Sequence, residues 1–190
     1  TLIDLRDGRE AAVVSRLNPQ VPYGDDVLSR ILRIRERPTG LAELHSCLIE
    51  ALNLMLTELA ASGGARIDEI YEVCFAGNST MQQTLCGLNS SALGEIPFVE
   101  VFSEGQSFSA SALGLRIHPA GQVYVFPQIG GFVGGDTVAC MVASRLDRSD
   151  RPVLLVDIGT NGELVLSYHG RLLATSTAAG PAFEGARIRQ

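Results

Sequence analysis

LLVDIGTNGELVL, residues 154–166, runs an apolar strand into an aspartate, turns tightly, and sends a second apolar strand back. Val153–Val156 form the first strand, Gly159-Thr160-Asn161-Gly162 the turn, and ELVLSY the antiparallel return. Such a turn suits a nucleotide phosphate. Gly159 and Gly162 let backbone amides approach an anion closely. Thr160 and Asn161 add side-chain donors, and Asp157 can hold magnesium directly or through water. The same residues also suit a plain hairpin closed by an Asn-Gly turn. All basic residues of the chain are arginine. A Walker-type phosphate loop and Schiff-base catalysis both need a lysine amine, so both are excluded here. Phosphate must be met by amides, hydroxyls and a cation.

Working outward, three more glycine-polar turns stand beside helix starts or loops. GGFVGGD (130–136) ends in Asp136 just before the helix TVACMVASRL; that carboxylate either positions a water or second metal ligand in a cleft, or caps the helix. GNSTM (77–81) follows the strand YEVCFAGN and places Gly77 and Asn78 at a helix amino-terminus on the carboxyl edge of a sheet, where open α/β sheets bind ligands. AAGPAFEGA (178–186) carries Glu184, either a metal-side acid or a surface acid in a loop. Four such turns exceed what packing alone requires.

The remainder fits an α/β chain. Residues 1–18 read as a hairpin around Arg6-Asp7-Gly8-Arg9, with Leu2, Ile3 and Leu5 in one strand and Val13, Val14 and Leu17 near the other. NPQVPYGDD (18–26) is loop, and Asp25 or Asp26 caps VLSRILRIRE. In 41–61, Leu41, Leu44, Leu48, Leu52, Met55 and Leu59 recur at helical spacing, and Gly63-Gly64 ends the helix. The stretch after residue 88 reads as loose, and QVYVFP (122–127) as a strand.

With 190 residues, 46% hydrophobic and 19% charged, the chain has a core to bury. Its net charge of −6 and the lack of a basic, aromatic-interleaved stripe disfavour nucleic acid. No apolar run approaches a bilayer span, and no signal peptide is read. Cys47, Cys74, Cys86 and Cys140 form no CxxC pair and read as buried reduced thiols, pointing to the cytoplasm. His45, His118 and His169 do not cluster.

The DIGT turn and hairpin resemble the phosphate loops of the actin, sugar-kinase and Hsp70 (ASKHA) superfamily, whose fold is ribonuclease H-like with a mixed sheet and flanking helices. The whole chain is similar to the ATPase region of reductive activators of corrinoid proteins, an iron–sulfur, metal-binding protein family. NPQVPYGDDVLSRI, GNSTMQQTLCGL, IPF (96–98), FPQIGGFVGGDTVA, LLVDIGTNGELVL and AAGPAFEGA carry that resemblance, in order and at compatible spacing. It implies a first lobe over residues 1–150 and the opening hairpins of a second over 151–190. It implies ATP and Mg²⁺ in the intact protein, and a [2Fe-2S] cluster in an upstream domain absent from this chain. Cob(II)amide would be reduced to cob(I)amide on a corrinoid protein or corrinoid methyltransferase. Asp157, Gly159, Thr160, Asn161 and Gly162 would contact phosphates and Mg²⁺, with Asp136 near the metal or attacking water.

Two other readings compete: a small-molecule kinase of the same superfamily with Asp136 as base, and a non-catalytic scaffold that docks a corrinoid protein or a second copy of itself. The free strand edge at Thr1–Leu5 invites a homodimer. The sequence opens inside a strand and without methionine, so it reads as an incomplete ASKHA unit lacking an earlier DIGTTT-type loop. The 190-residue chain alone is therefore expected to bind ATP·Mg²⁺ weakly or not at all. Isothermal titration checks this, and a micromolar dissociation constant overturns it.

Overall fold

The computed structural model describes residues 1–159 and 161–178. The fold is mixed α/β. Strands β1 (Leu2–Ile3) and β2 (Glu10–Ala12) form the opening hairpin, reversed at Gly8, whose φ of 73° is costly for any residue with a Cβ. The pairing is shorter than the apolar pattern predicts. It stops at Ala12, and Val13 and Leu17 lie exposed beyond it. Among the described residues no strand adds to either edge of this pair, so nothing extends the ladder.

Helix α1 (Val27–Glu36) begins at Asp26, not Asp25. Asp26 Oδ1 accepts from Ser29 N at 2.7 Å, and Ser29 Oγ reaches back to the Asp26 amide. Helix α2 (Gly40–Ser62) buries Leu44, Ile49, Leu56, Leu59 and Ala60. This line is rotated slightly from the predicted seam: Leu48 and Leu52 sit at its margin, and Asn53 lies buried within it. Asn53 earns its place by hydrogen bonding. Its Nδ2 donates to Gly114 O (2.9 Å) and its Oδ1 accepts from Arg116 N (2.8 Å), tying α2 to the loop before the central strand. By length and composition α2 is apolar enough to cross a membrane, which the sequence reading did not expect. Its buried line packs on the protein's own sheet, as in a core helix.

That sheet has the order β3-β5-β4. Strand β3 (Glu72–Phe75) runs parallel to β5 (Gln122–Val125), and β4 (Gln106–Ser109) runs antiparallel to β5. Val123 and Val125 on the central strand are fully buried among Ile49, Leu56, Ile70, Leu85 and Leu113. Strand β4 falls in the stretch that reads as loose, because QSFS carries one large apolar residue and little alternation. The cysteines also differ from expectation. Cys74 and Cys140 are exposed, while Cys47 and Cys86 are half-buried; all four are free thiols. Cys74 points off the outer side of a sheet edge, and Cys140 faces the polar end of the site described below.

Helix α3 (Ser79–Leu85) follows β3, and helix α4 (Gly135–Ala143) follows β5. Strands β6 (Val153–Ile158), β7 (Asn161–Tyr168) and β8 (Arg171–Ala178) then form a separate antiparallel meander. Its inner face buries Val165 and Ser167, and its outer face exposes Leu154, Val156, Ile158, Leu166 and Leu173.

Helices α3 and α4 are joined through backbone. Gln82, on α3, is 2% exposed; its Nε2 donates to Phe126 O at 2.9 Å and its Oε1 accepts from Gly135 N at 3.2 Å. Asp136 N donates to Gly77 O, and Ser79 Oγ donates to Gly130 O. Gly134 is compact of necessity, since a Cβ there would lie 2.7 Å from both Asn78 Cα and Gly77 O. A Cβ on Gly131 would meet Phe98 O at 2.1 Å, so the IPF segment closes over the same knot. Gln82→Leu leaves a buried amide and a buried carbonyl unpaired, at about 1–3 kcal/mol each. Urea unfolding should show a loss of about 2–4 kcal/mol; a loss under about 1 kcal/mol would remove the clasp from the account of the fold.

Candidate functional site

The knot fixes the amino-terminus of α4 beside the Gly77–Asn78 turn. Gly134 occupies the cap position, so Asp136 stands in the first helical turn rather than at the cap. Asp136 Oδ1 accepts from Thr137 N at 2.9 Å. Burial pushes its carboxyl above the ordinary range against that hydrogen bond, and the charge of Asp157 pushes it further. Asp157 thus lies within electrostatic reach of Asp136, on the face of β6 turned toward α4.

A third carboxylate belongs to the same group and was not singled out from the sequence. The β6–β7 register pairs Ile158 with Gly162 and Asp157 with Glu163, so the two acids face each other directly across the hairpin. Glu163 is half-buried; burial first, then Asp136 and Asp157, raise its carboxyl. Ser176 Oγ on β8 donates to Glu163 Oε1 at 3.5 Å. Cys140, one turn along α4 from Asp136, feels both aspartates, and its thiol is raised by burial and then by Asp157 and Asp136. The signal for Glu163 was in the spacing: in VDIGTNGE the two acids stand symmetrically about residue 160. Strand pairing, not residue type, reveals it.

The other predicted site residues divide. Gly77 and Asn78 lie against Gly134 and Asp136, brought to the site by the knot. Asn78 Oδ1 accepts from Met81 N and starts α3, so that oxygen is already engaged. Gly159 N donates to Asn161 O at 3.1 Å, an internal bond of the turn. Gly162 is buried and Asn161 half-buried at the start of β7. Thr160 and Glu184 lie outside the described residues.

Among the described residues no three His, Cys, Asp or Glu side chains come together as a metal-ligating group. The three carboxylates feel one another without converging on a point. Acids of this kind suit a hydrated Mg²⁺, which keeps several waters and takes one or two carboxylates plus phosphate oxygens. Thr137 Oγ1, fully buried beside Asp136 and without a hydrogen-bond partner, adds an unmet polar atom to this end of α4.

Like charges directly opposite across a hairpin cost about 0.2–1 kcal/mol. The raised Glu163 carboxyl contributes stability at low pH, where it is protonated in both folded and unfolded chains. That contribution fades as pH climbs from the ordinary value of 4.5 through the higher folded value. Glu163→Gln should therefore stabilise the chain at pH 7 by about 0.2–1 kcal/mol, or about 1–3 °C in Tm, and have little effect near pH 4. Thermal melts at the two pH values check this; an equal effect at both removes the charge repulsion.

The matched families agree with this architecture. Residues 1–149 match the RACo middle region, and residues 151–190 match the C-terminal domain of RACo, the ASKHA domain. The chain is 35% identical over 187 residues to corrinoid activation enzyme RamQ of Eubacterium limosum, covering 98% of this chain and 31% of that protein. It is 30% identical over 121 residues to [Co(II) methylated amine-specific corrinoid protein] reductase of Methanosarcina barkeri, covering 63% of this chain and 20% of that protein. A solved reductive activator for corrinoid, iron–sulfur protein superposes with a TM-score of 0.92 at 32% identity, over 98% of this chain and 30% of that one. The chain therefore spans about a third of the length of the relatives it matches. With its clasped glycine turns, its acid-bearing hairpin and a match to the RACo middle region over residues 1–149, the chain belongs to the RACo family, and its fold is of the ASKHA type.

Proposed function

We propose that this chain is the part of an ATP-dependent reductive activator of corrinoid proteins in which the carboxylates flanking a nucleotide's phosphates are assembled. The carrying observation is the cross-strand pair Asp157 and Glu163, with Asp136, at the start of α4, within electrostatic reach of it. Residues 1–150 would supply most of one lobe and residues 151–190 the opening hairpins of the next, with phosphates in the cleft between them.

Bound Mg²⁺ would neutralise charge on the phosphates. Asp157 and Glu163 would hold its waters from the β6–β7 hairpin, and the cation would relieve the repulsion between them. Asp136, raised by burial, is suited to accept a proton from a water held at its free carboxylate edge. The Gly77 and Gly134 turns, locked together by backbone contact, keep that carboxylate in place. Reduction of cob(II)amide to cob(I)amide is uphill for cellular donors. ATP binding and hydrolysis would drive it, with electrons entering through a [2Fe-2S] domain and leaving to a corrinoid protein in the cytoplasm.

In the full-length protein, Asp157→Ala should lower ATP-dependent cob(I)amide formation, followed by corrinoid absorbance, by about 10²-fold. Unchanged activity would favour the docking scaffold instead. Phosphoryl transfer from ATP to an added alcohol or acid would favour the kinase.

A further inference from the structure

At its other end α4 borders a second feature with different chemistry. A groove of about 400 Å³ runs between α4, the 3₁₀ turn Leu146–Arg148 and β8, lined by Val138, Met141, Val142, Leu172, Arg145 and Arg148, with Asp147 also on its wall. Arg145 and Arg148 lie past the carboxyl end of α4, whereas Asp136 stands in its first turn, so the basic rim and the carboxylates sit at opposite ends of the helix.

Its floor is apolar and open. Val142 is 63% exposed and Leu172 39%. Met141 gives it an adaptable side chain of the kind found on recognition surfaces. The rim is basic. Arg145 and Arg148 stand on either side of the buried anchor Leu146 in sequence, and both line the groove. Ion pairs among the described residues use Arg6, Arg9, Arg16, Arg33, Arg35 and Arg66; neither Arg145 nor Arg148 enters one. Asp147 offsets one of the two charges at most, so the rim is net positive on a chain of net charge −6.

The backbone adds a further point. Arg145 has φ 51° in the left-handed region, at a position just past a helix end where glycine or asparagine is usual. A β-carbon there costs about 1 kcal/mol. A cationic side chain at a helix carboxyl terminus recovers part of that cost against the helix dipole. Dipole complementarity does not explain the second unpaired guanidinium or the exposed apolar floor between the two.

We propose that this groove binds an acidic segment of a partner protein, seating an apolar side chain on Val138, Val142 and Leu172 while its carboxylates meet Arg145 and Arg148. Charge complementarity selects the occupant. Guanidiniums pair carboxylates in bidentate fashion, and an apolar floor favours a peptide over a bare polyanion.

The test uses the full-length protein and a fluorescein-labelled peptide of about a dozen residues alternating Glu with Leu and Phe, followed by anisotropy. Binding in the tens of micromolar is expected. Arg145→Glu combined with Arg148→Glu should weaken it at least tenfold, the double lysine variant should weaken it less, and Val142→Glu alone should weaken it severalfold. The same peptide with lysine in place of glutamate should not bind. The proposal is overturned if the acidic peptide fails to bind, if acidic and basic peptides bind alike, if the charge reversals change affinity less than twofold, or if a single-stranded oligonucleotide competes as well as unlabelled peptide.

Discussion

Two hydrogen bonds from one side chain hold the polar half of this molecule together. Gln82 joins the amide that opens α4 to the carbonyl that ends β5, and it does so from α3 in a site closed to water. An amide side chain is one of the few groups able to donate and accept in opposite directions at once. The glycines around it follow from that closeness. Gly131, Gly134 and Gly135 stand where a Cβ would strike backbone or the Gln82 amide itself. The GNSTMQQ, IPF and FPQIGGFVGGD segments thus have a common physical reason: they meet in one close contact. The position of Asp136 is a consequence of this contact, not of its own side chain.

Electrostatics then sets what the site can hold. A chain without lysine has no compact mobile ammonium to place among phosphates. Among the described residues the assembled group is acidic: burial and the Asp157 charge raise the Asp136 carboxyl, and burial, then Asp136 and Asp157, raise that of Glu163. Such a group is repulsive until a cation enters, so metal and phosphate would arrive as a unit. This differs from a lysine-bearing loop, where the protein's own ammonium faces the anion directly. Under the proposed function, nucleotide affinity would depend on Mg²⁺ and on proton occupancy at the same residues.

Much of the fold was legible from residue pattern. The α2 helix, its cap-bearing neighbour α1 and the hairpin from Val153 each rest on local rules; the structure rotates the buried line of α2 slightly and chooses Asp26 over Asp25 as the cap. What escaped depended on pairing or on depth. Strand β4 is formed by its neighbour β5 rather than by its own four residues. Cys74 and Cys140 are apolar in context yet exposed, because one lies on a sheet edge and the other on the open flank of α4. Glu163 is unremarkable as a residue and becomes a site residue only once the register sets it opposite Asp157. Asp136 was recognised, but its helix position was not, because Gly134 takes the cap. A cap is a matter of one residue's backbone, and two glycines before the acid left that open.

Helix α4 connects the two chemistries found here. Its nine residues carry a carboxylate at the first turn, and two arginines follow just past the last. The amino-terminal end is fixed by backbone contacts that tolerate no added atom, while the carboxyl-terminal end is held by Leu146 and a left-handed turn. A tilt of α4 that widened the arginine groove would change how Asp136 stands to Asp157 and Glu163, which belong to the meander. By linkage, a segment that prefers one tilt and a cation–phosphate unit that prefers another would each alter the other's affinity by the same factor. That reciprocity needs no path through the core; it needs only one rigid helix whose ends touch two different ligands.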